Sequence, residues 1–271
     1  MEISVIIPTY KPQSYLWECL NSLVNQTFPK EFFEIILVLN GCNEPYKSNI
    51  EKYITTSMRD MNINFVHSEK AGVSNARNIA LDRVKGKNIA FIDDDDIVSP
   101  NYLEELYAKV HPNTIVLSNS YAFNDGYLHI QLPYSLTTVY EKFKYVKENK
   151  ISSKVRKYFS GPCMNLIPIA VIQNSRFDTK FKNGEDTLFM FLISKRIKNI
   201  VFSKENAIYY RRYRLGSAIN TKRSFIKNIK NNGMQILTYF KYYAKNPFQY
   251  NLLFFLTRIG GALYSLVTYK Y

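Results

Sequence analysis

Through the first half of the chain, short runs of β-branched and aliphatic residues alternate with longer stretches whose apolar positions recur at helical spacing. Ile3 to Pro8, Glu34 to Leu39, Asn64 to His67 and Asn88 to Asp93 read as strands. Tyr15 to Gln26 carries Leu16, Cys19, Leu20 and Leu23 on one helical face, and Glu44 to Met58 and Val73 to Val84 share that spacing. The alternation predicts βαβ units and an α/β fold with a largely parallel central sheet, Rossmann-like at its start. In such open sheets ligands bind beyond the carboxyl ends of the strands, so the residues following each strand are where chemistry is to be sought.

After Pro100 the pattern changes. A helix is expected from about Asn101 to Val110 and a strand over Thr114 to Ser118, followed by a tyrosine-rich, less regular stretch to about Ser160. A strand from Met164 to Pro168, a helix opening at Glu185-Asp186, and strands near Ile200 to Ser203 and Ala207 to Arg212 complete one domain over residues 1–221. Its nucleotide-binding half is expected at about 1–110 and its acceptor half at about 111–221. From about Lys222 a helical extension (222–271) reads as two helices divided near Asn246-Pro247, where proline breaks a continuous helix. Leu252 to Val267 is strongly apolar but interrupted by Arg258 and Gly260-Gly261. It falls short of the roughly 20 residues that span a bilayer, so an interfacial or packed role is expected.

Composition narrows the function classes. Hydrophobic residues at 46% and charged residues at 21% exclude disorder as a description of the whole chain of 271 residues. Lys and Arg number 36 against 22 Asp and Glu, a formal net charge of +14. That favours an anionic partner, whether nucleotide, nucleic acid or phospholipid surface, without choosing among them. Cys19, Cys42 and Cys163 are widely spaced and form no C-x-x-C pair, so a reduced compartment fits better than a disulfide framework or a zinc site. The opening Met1-Glu-Ile-Ser-Val-Ile-Ile-Pro lacks a basic segment followed by an apolar run, and a cytoplasmic location is expected.

The strongest chemical signal is Asp93-Asp94-Asp95-Asp96 directly after an apolar strand. Four adjacent carboxylates are costly unless a cation neutralises them. Mn2+ or Mg2+ suits such hard oxygen donors and often takes only one or two protein carboxylates, completing its shell with phosphates and water. If the strand continues, Asp93 and Asp95 point the same way and share that task. The alternative is an acidic turn capping the helix near Pro100.

Four strings in order, Ser4-Val-Ile-Ile-Pro-Thr-Tyr, Gly72-Val-Ser-Asn-Ala-Arg-Asn-Ile-Ala, Ala90-Phe-Ile-Asp-Asp-Asp-Asp and Asn183-Gly-Glu-Asp-Thr-Leu-Phe, closely resemble the inverting family-two glycosyltransferases. The resemblance covers roughly residues 1 to 215. It implies a GT-A fold, a nucleotide-diphosphate-sugar donor (UDP in the first instance), and a D-x-D metal site on Asp93, Asp94 and Asp95, with Asp95 the first ligand and Asp93 the second. Asp96 is then structural. The same resemblance implies that Pro8 and Thr9, with Tyr10 beside them, line the nucleotide pocket. It sets Arg77 near the nucleotide, fixing the acidic loop, and makes Asp186, with Glu185, the base that takes the proton of the acceptor hydroxyl.

Where the family reads Val-Asp-Asp-Gly-Ser, this chain reads Val38-Leu39-Asn40-Gly41-Cys42. Asn40 could meet a uracil edge through its amide, or Asn40-Gly41 is simply a turn. Tyr209-Tyr-Arg-Arg-Tyr-Arg214 followed by Ser217 resembles the segment that closes over the diphosphate, with Arg211 the named candidate; a basic solvated strand is the alternative. The implied partners are the nucleotide-sugar and a saccharide acceptor, lipid-linked, in surface polysaccharide or glycoconjugate synthesis. The Lys- and aromatic-rich tail could contact a membrane surface peripherally, or pack on the catalytic domain or on a second subunit. A sugar nucleotidyltransferase is the rival enzyme, but Pro8-Thr-Tyr-Lys-Pro replaces the Gly-rich basic loop it needs. No G-x-x-x-x-G-K-[ST] or G-x-G-x-x-G string is present, and a nucleic-acid-binding role rests on charge alone.

Overall fold

The structure is a computed structural model that describes residues 1–146, 151–152, 155–181, 183–214 and 225–267. The first half runs β1 (Ile3–Thr9), α1 (Ser14–Val24), β2 (Phe33–Asn40), α2 (Tyr46–Ser57), β3 (Ile63–Ser68), α3 (Val73–Leu81) and β4 (Asn88–Phe91). It continues with β5 (Ile97–Val98), α4 (Tyr102–Tyr107), β6 (Thr114–Leu117), β7 (Asn119–Asn124), α5 (Ser135–Phe143), β8 (Asn165–Pro168) and α6 (Ile169–Ile172). Then follow α7 (Glu185–Ser194), β9 (Asn199–Phe202), β10 (Ile208–Tyr213), α8 (Phe225–Lys245) and α9 (Leu252–Val267).

Seven strands form the main sheet in the order β3-β2-β1-β4-β8-β6-β9. β1, β2, β3 and β4 are parallel to one another, and β8 is antiparallel to both its neighbours. Every residue of β1 and β2 is buried, as expected of strands covered on both faces. The register pairs Thr9 with Leu39, Asn40 with Ser68 and Ile6 with Phe91, so four strands deliver their carboxyl ends to one edge. The chain leaves β1 for β2 on one side and later returns to β4 on the other. That reversal opens a crevice between β1 and β4.

Two expectations are corrected. The β4 ladder stops at Phe91 rather than reaching Asp93, and the acidic run forms a turn closed by Asp96 N donating to Asp93 O at 3.1 Å. Four carboxylates continued into the sheet would lack solvation; the turn lets each find its own partner. The stretch from 119 to 160 is also more ordered than expected. β7 joins a small second sheet in the order β5-β10-β7, and α5 buries Leu136, Val139 and Tyr140.

α8 and α9 pack on α7 through aromatic contacts. Phe191 stacks on Tyr250 at 4.6 Å and meets Tyr239 edge-on at 5.1 Å, while Phe254 packs edge-on against Phe159. The extension thus shares the domain's core. Its other face leaves Leu237, Phe240, Leu253 and Leu256 exposed. Among the described residues no helix is long and apolar enough to cross a membrane. The expected boundary at 221/222 lies outside the described residues.

Candidate active site

A cavity of about 540 Å³ opens at the crevice, lined by Pro8, Thr9 and Tyr10 from the end of β1, by Asn40 and Gly72, by the acidic turn, and by Arg211 to Arg214. Most of the residues expected at the donor site therefore meet here, although they come from five separated segments.

Asn40 is buried and its amide bonds to backbone on two sides. Its Nδ2 donates to Thr9 O at 2.7 Å, and its Oδ1 accepts from Gly72 N at 2.8 Å. Asn40 thus braces the end of β1 to the start of α3 while lining the cavity. Gly41 beside it has φ +67, and a Cβ there would sit 2.3 Å from Ala71 Cβ, so only glycine fits this close approach.

Each carboxylate of the acidic turn has its own partner. Asp93 Oδ1 accepts from Arg77 Nη2 at 2.9 Å, and Asp94 Oδ2 from the Thr9 hydroxyl at 2.5 Å. Asp95 Oδ2 accepts from Arg214 Nε at 2.7 Å, and buried Asp96 from the Tyr209 hydroxyl at 2.6 Å and Arg212 N at 2.8 Å. Burial raises the carboxyl of Asp94 to about 7, against the Thr9 hydrogen bond, and also raises Asp95 and, well above the usual range, Asp96; repulsion between neighbours adds to this. Burial and the repulsion between neighbouring carboxylates both disfavour their charged forms, an environment suited to a further cation.

Among the described residues no three His, Cys, Asp or Glu side chains are grouped to hold a metal alone. Asp93 and Asp95 nevertheless line the same cavity with side chains 41% and 18% exposed. That donor set fits an ion that takes one or two carboxylates and fills its remaining positions from a diphosphate and water.

The three arginines of β10 and its end do different work. Arg212 is buried, held by Glu18 at 2.8 Å, Asp125 at 2.5 Å and Asp95 O at 2.7 Å. Arg214 stacks 4.5 Å over Tyr15 while pairing with Asp95. Arg211 donates only to the Tyr134 hydroxyl, at 3.1 Å, and has no carboxylate partner among the described residues. It faces both this cavity and the next. Ser217 lies outside the described residues.

A second cavity, of about 330 Å³, shares Asp93, Asp96 and Arg211 with the first and reaches Asp186 at the start of α7. Arg77 joins the two. Buried on the inner face of α3, it donates to Asp186 Oδ1 at 2.5 Å as well as to Asp93, over the ring of Phe177 at 5.3 Å. It does not line the donor cavity itself; its two ion pairs link the acidic turn to Asp186. Phe177 is itself fixed by a reciprocal pair of 2.8 Å hydrogen bonds with the Asn78 amide. Burial pushes Asp186 up to about 7 even though Arg77 pulls the other way. Glu185 lines neither cavity, and its Oε2 is buried without a hydrogen-bond partner. Tyr134, Tyr209 and Arg214 also join the site; the last two belong to the Tyr209–Arg214 segment, whereas nothing local in the sequence marks Tyr134.

A family model described as Glycosyl transferase family 2 matches residues 4–170. The chain belongs to that family. Its fold is of the GT-A type. Glycosyltransferase GlyA of Streptococcus pneumoniae is 30% identical over 227 residues, which are 80% of this chain and 31% of that protein. The minor teichoic acid biosynthesis protein GgaB of Bacillus subtilis is 27% identical over 93% of this chain and 29% of its own length. The chain thus spans roughly a third of these two relatives. Residues 1–349 of TarS from S. aureus, solved in complex with UDP, superpose with a TM-score of 0.64 at 25% identity over 79% of this chain and 61% of that one.

Proposed function

We propose that this family-two glycosyltransferase moves a hexosyl group from a UDP-sugar to a hydroxyl of a saccharide-containing surface polymer, inverting the anomeric centre. The observation that carries this reading is the meeting of two cavities at Asp93 and Arg211, one lined by the acidic turn and the other containing Asp186. UDP in the related TarS structure supports the choice of nucleotide, and the teichoic acid in the name of GgaB supports a polymer acceptor.

Asp186 accepts the proton of the attacking hydroxyl, and its raised affinity for a proton suits it to that task near neutral pH. Arg77 holds Asp186 at a fixed relation to the acidic turn. Arg211, with no carboxylate partner among the described residues, offers its guanidinium to the departing diphosphate. Asp95 and Asp93 would hold Mn2+ or Mg2+, which supplies charge neutralisation of the leaving group. Attack from the face opposite the nucleotide then inverts the centre.

A thermal-shift series with UDP, GDP, CDP and dTDP, each with and without Mn2+, tests the donor assignment. UDP with Mn2+ should give the largest stabilisation, about 2–3 kcal/mol at a hundredfold excess over Kd, and Asp95→Asn should abolish the Mn2+-dependent part. Equal shifts with every nucleotide, or none that depends on metal, would remove it.

Peripheral contact with an anionic lipid surface is part of the same proposal. The apolar outer face of α8 and α9, in a chain of net charge +14, has the character of an interfacial surface. Replacing Leu253 and Leu256 together with serine should reduce sedimentation with phosphatidylserine vesicles severalfold without lowering Tm. Unchanged sedimentation would assign this face to protein contacts.

A further inference from the structure

A third cavity, of about 300 Å³, lies where α8 and α9 meet the start of α7. Its composition is unusual for a helix junction. The inner stripe of α8 reads Asn228, Asn231, Asn232 and Gln235 before it turns aromatic at Tyr239, and α9 contributes Thr257, Arg258 and Ser265. Asparagine is a poor helix former and buries no apolar surface, so neither helix propensity nor core packing explains this stripe. Its amides are already braced: Asn231 and Gln235 donate to Asn183 O, and Asn232 donates to the Ser265 hydroxyl at 2.6 Å. The pocket is built and polar.

Arg258 gives it a sign. Only 6% of this residue is exposed, and one face of its guanidinium is covered by the Phe254 ring at 4.4 Å. A single hydrogen bond, from Nη2 to Arg156 O at 2.9 Å, satisfies part of the group; Nε is buried without a partner, and no described carboxylate pairs with it. A buried guanidinium without a counter-charge is costly to a fold, and every other wall of the cavity is neutral or, at Arg156, basic. Burial accordingly lowers its proton affinity to about 10. An oxyanion entering the cavity would meet the guanidinium of Arg258 with no carboxylate of the lining to compete for it, the charge-assisted pairing that phosphoryl groups take from arginine.

The cavity is also placed along a path. Ser160 lines both this cavity and the one that contains Asp186, and Ser160 O accepts from the Thr187 hydroxyl on the first turn of α7. A chain whose reacting hydroxyl sits at Asp186 and which continues across Ser160 delivers its next substituent to Arg258. We propose that the α8–α9 cavity is an acceptor subsite that binds a phosphoryl group of the acceptor chain, so that the enzyme selects a phosphate-bearing polymer over a neutral glycan. This rests on the reading of Asp186 and its cavity as the acceptor side of the reaction.

The test is calorimetric titration of the full chain, with the donor cavity held saturated by UDP and Mn2+, using inorganic phosphate and the diester glycerophosphoglycerol as probes. The diester should bind alongside UDP. Arg258→Gln should weaken that binding about tenfold or more, as loss of a charged hydrogen-bond donor implies. Asn232→Asp, which differs little in shape and places a carboxylate in the same cavity, should do so too and guards against a folding defect in the first variant. UDP affinity, read separately in both variants, should stay within about twofold of the parent. Diester binding that is unchanged in both variants, that competes with UDP, or that is absent while inorganic phosphate binds would overturn the proposal. Failure of UDP to bind the parent chain would instead count against the donor assignment alone.

Discussion

Asp186→Asn should reduce transfer by about two to four orders of magnitude while UDP binds as before. The size follows from the usual contribution of a positioned general base, and the specificity from geometry: Asp186 stands in the second cavity and does not line the donor cavity. A transfer assay on the purified chain beside a UDP titration separates the two effects. The pH dependence follows from the direction of the shift. Burial raises Asp186 to about 7, and the base is its ionised form, so the active fraction is full above that value and falls as pH drops through it. kcat/KM should therefore decline about tenfold per pH unit below roughly 6.5, and the residual rate of Asp186→Asn should lack that limb. A parent profile flat from pH 5 to 8 would remove Asp186 as the base.

The parts of the site that could be read in advance were those carried by local order. β1 and β2 are unbroken apolar runs, and the polar residues that end them, Thr9 and Asn40, fall at the edge where open sheets bind ligands. The inner face of α3 was legible in the same way. Ala76, Ala80 and Leu81 mark its buried stripe, and Arg77 falls on that stripe, where an arginine needs carboxylates close by. Which carboxylates it meets was not written locally, because Asp93 and Asp186 reach it from β4 and α7.

The small sheet was illegible for a related reason. β7 pairs with β10 from far along the chain, and Asn119–Asn124 shows no clean alternation of its own. On a strand Arg211 and Arg212 must face opposite ways, but the sequence does not say which way is inward. Once the sheet forms, Arg212 is committed to Glu18 and Asp125, and Arg211 faces the cavities. α5, by contrast, carried a usable signal. Leu136, Val139, Tyr140 and Phe143 have helical spacing, obscured by the tyrosines around them.

Arg77 should prove the residue whose loss costs both stability and catalysis. Its side chain is 3% exposed, and its two carboxylate partners, Asp93 and Asp186, are 41% and 28% exposed. Arg77→Met fills much of the space yet leaves two carboxylates facing each other without their shared cation. Removing one member of a fully buried ion pair costs about 3–5 kcal/mol; the partial exposure of both acids lowers the expectation here to about 2–3 kcal/mol, or a Tm roughly 5–10 °C lower. Arg77→Lys restores charge but not the planar fork that reaches two acids at once, so it should recover most of the stability and little of the activity. That split is the decisive readout in paired melting and transfer measurements. Were Arg77 a packing residue alone, Met would retain activity in proportion to folded protein; were it charge alone, Lys would restore both. With Arg77 gone, the link from the acidic turn of the donor cavity to the base of the acceptor cavity is gone as well, and tight UDP binding should no longer predict turnover.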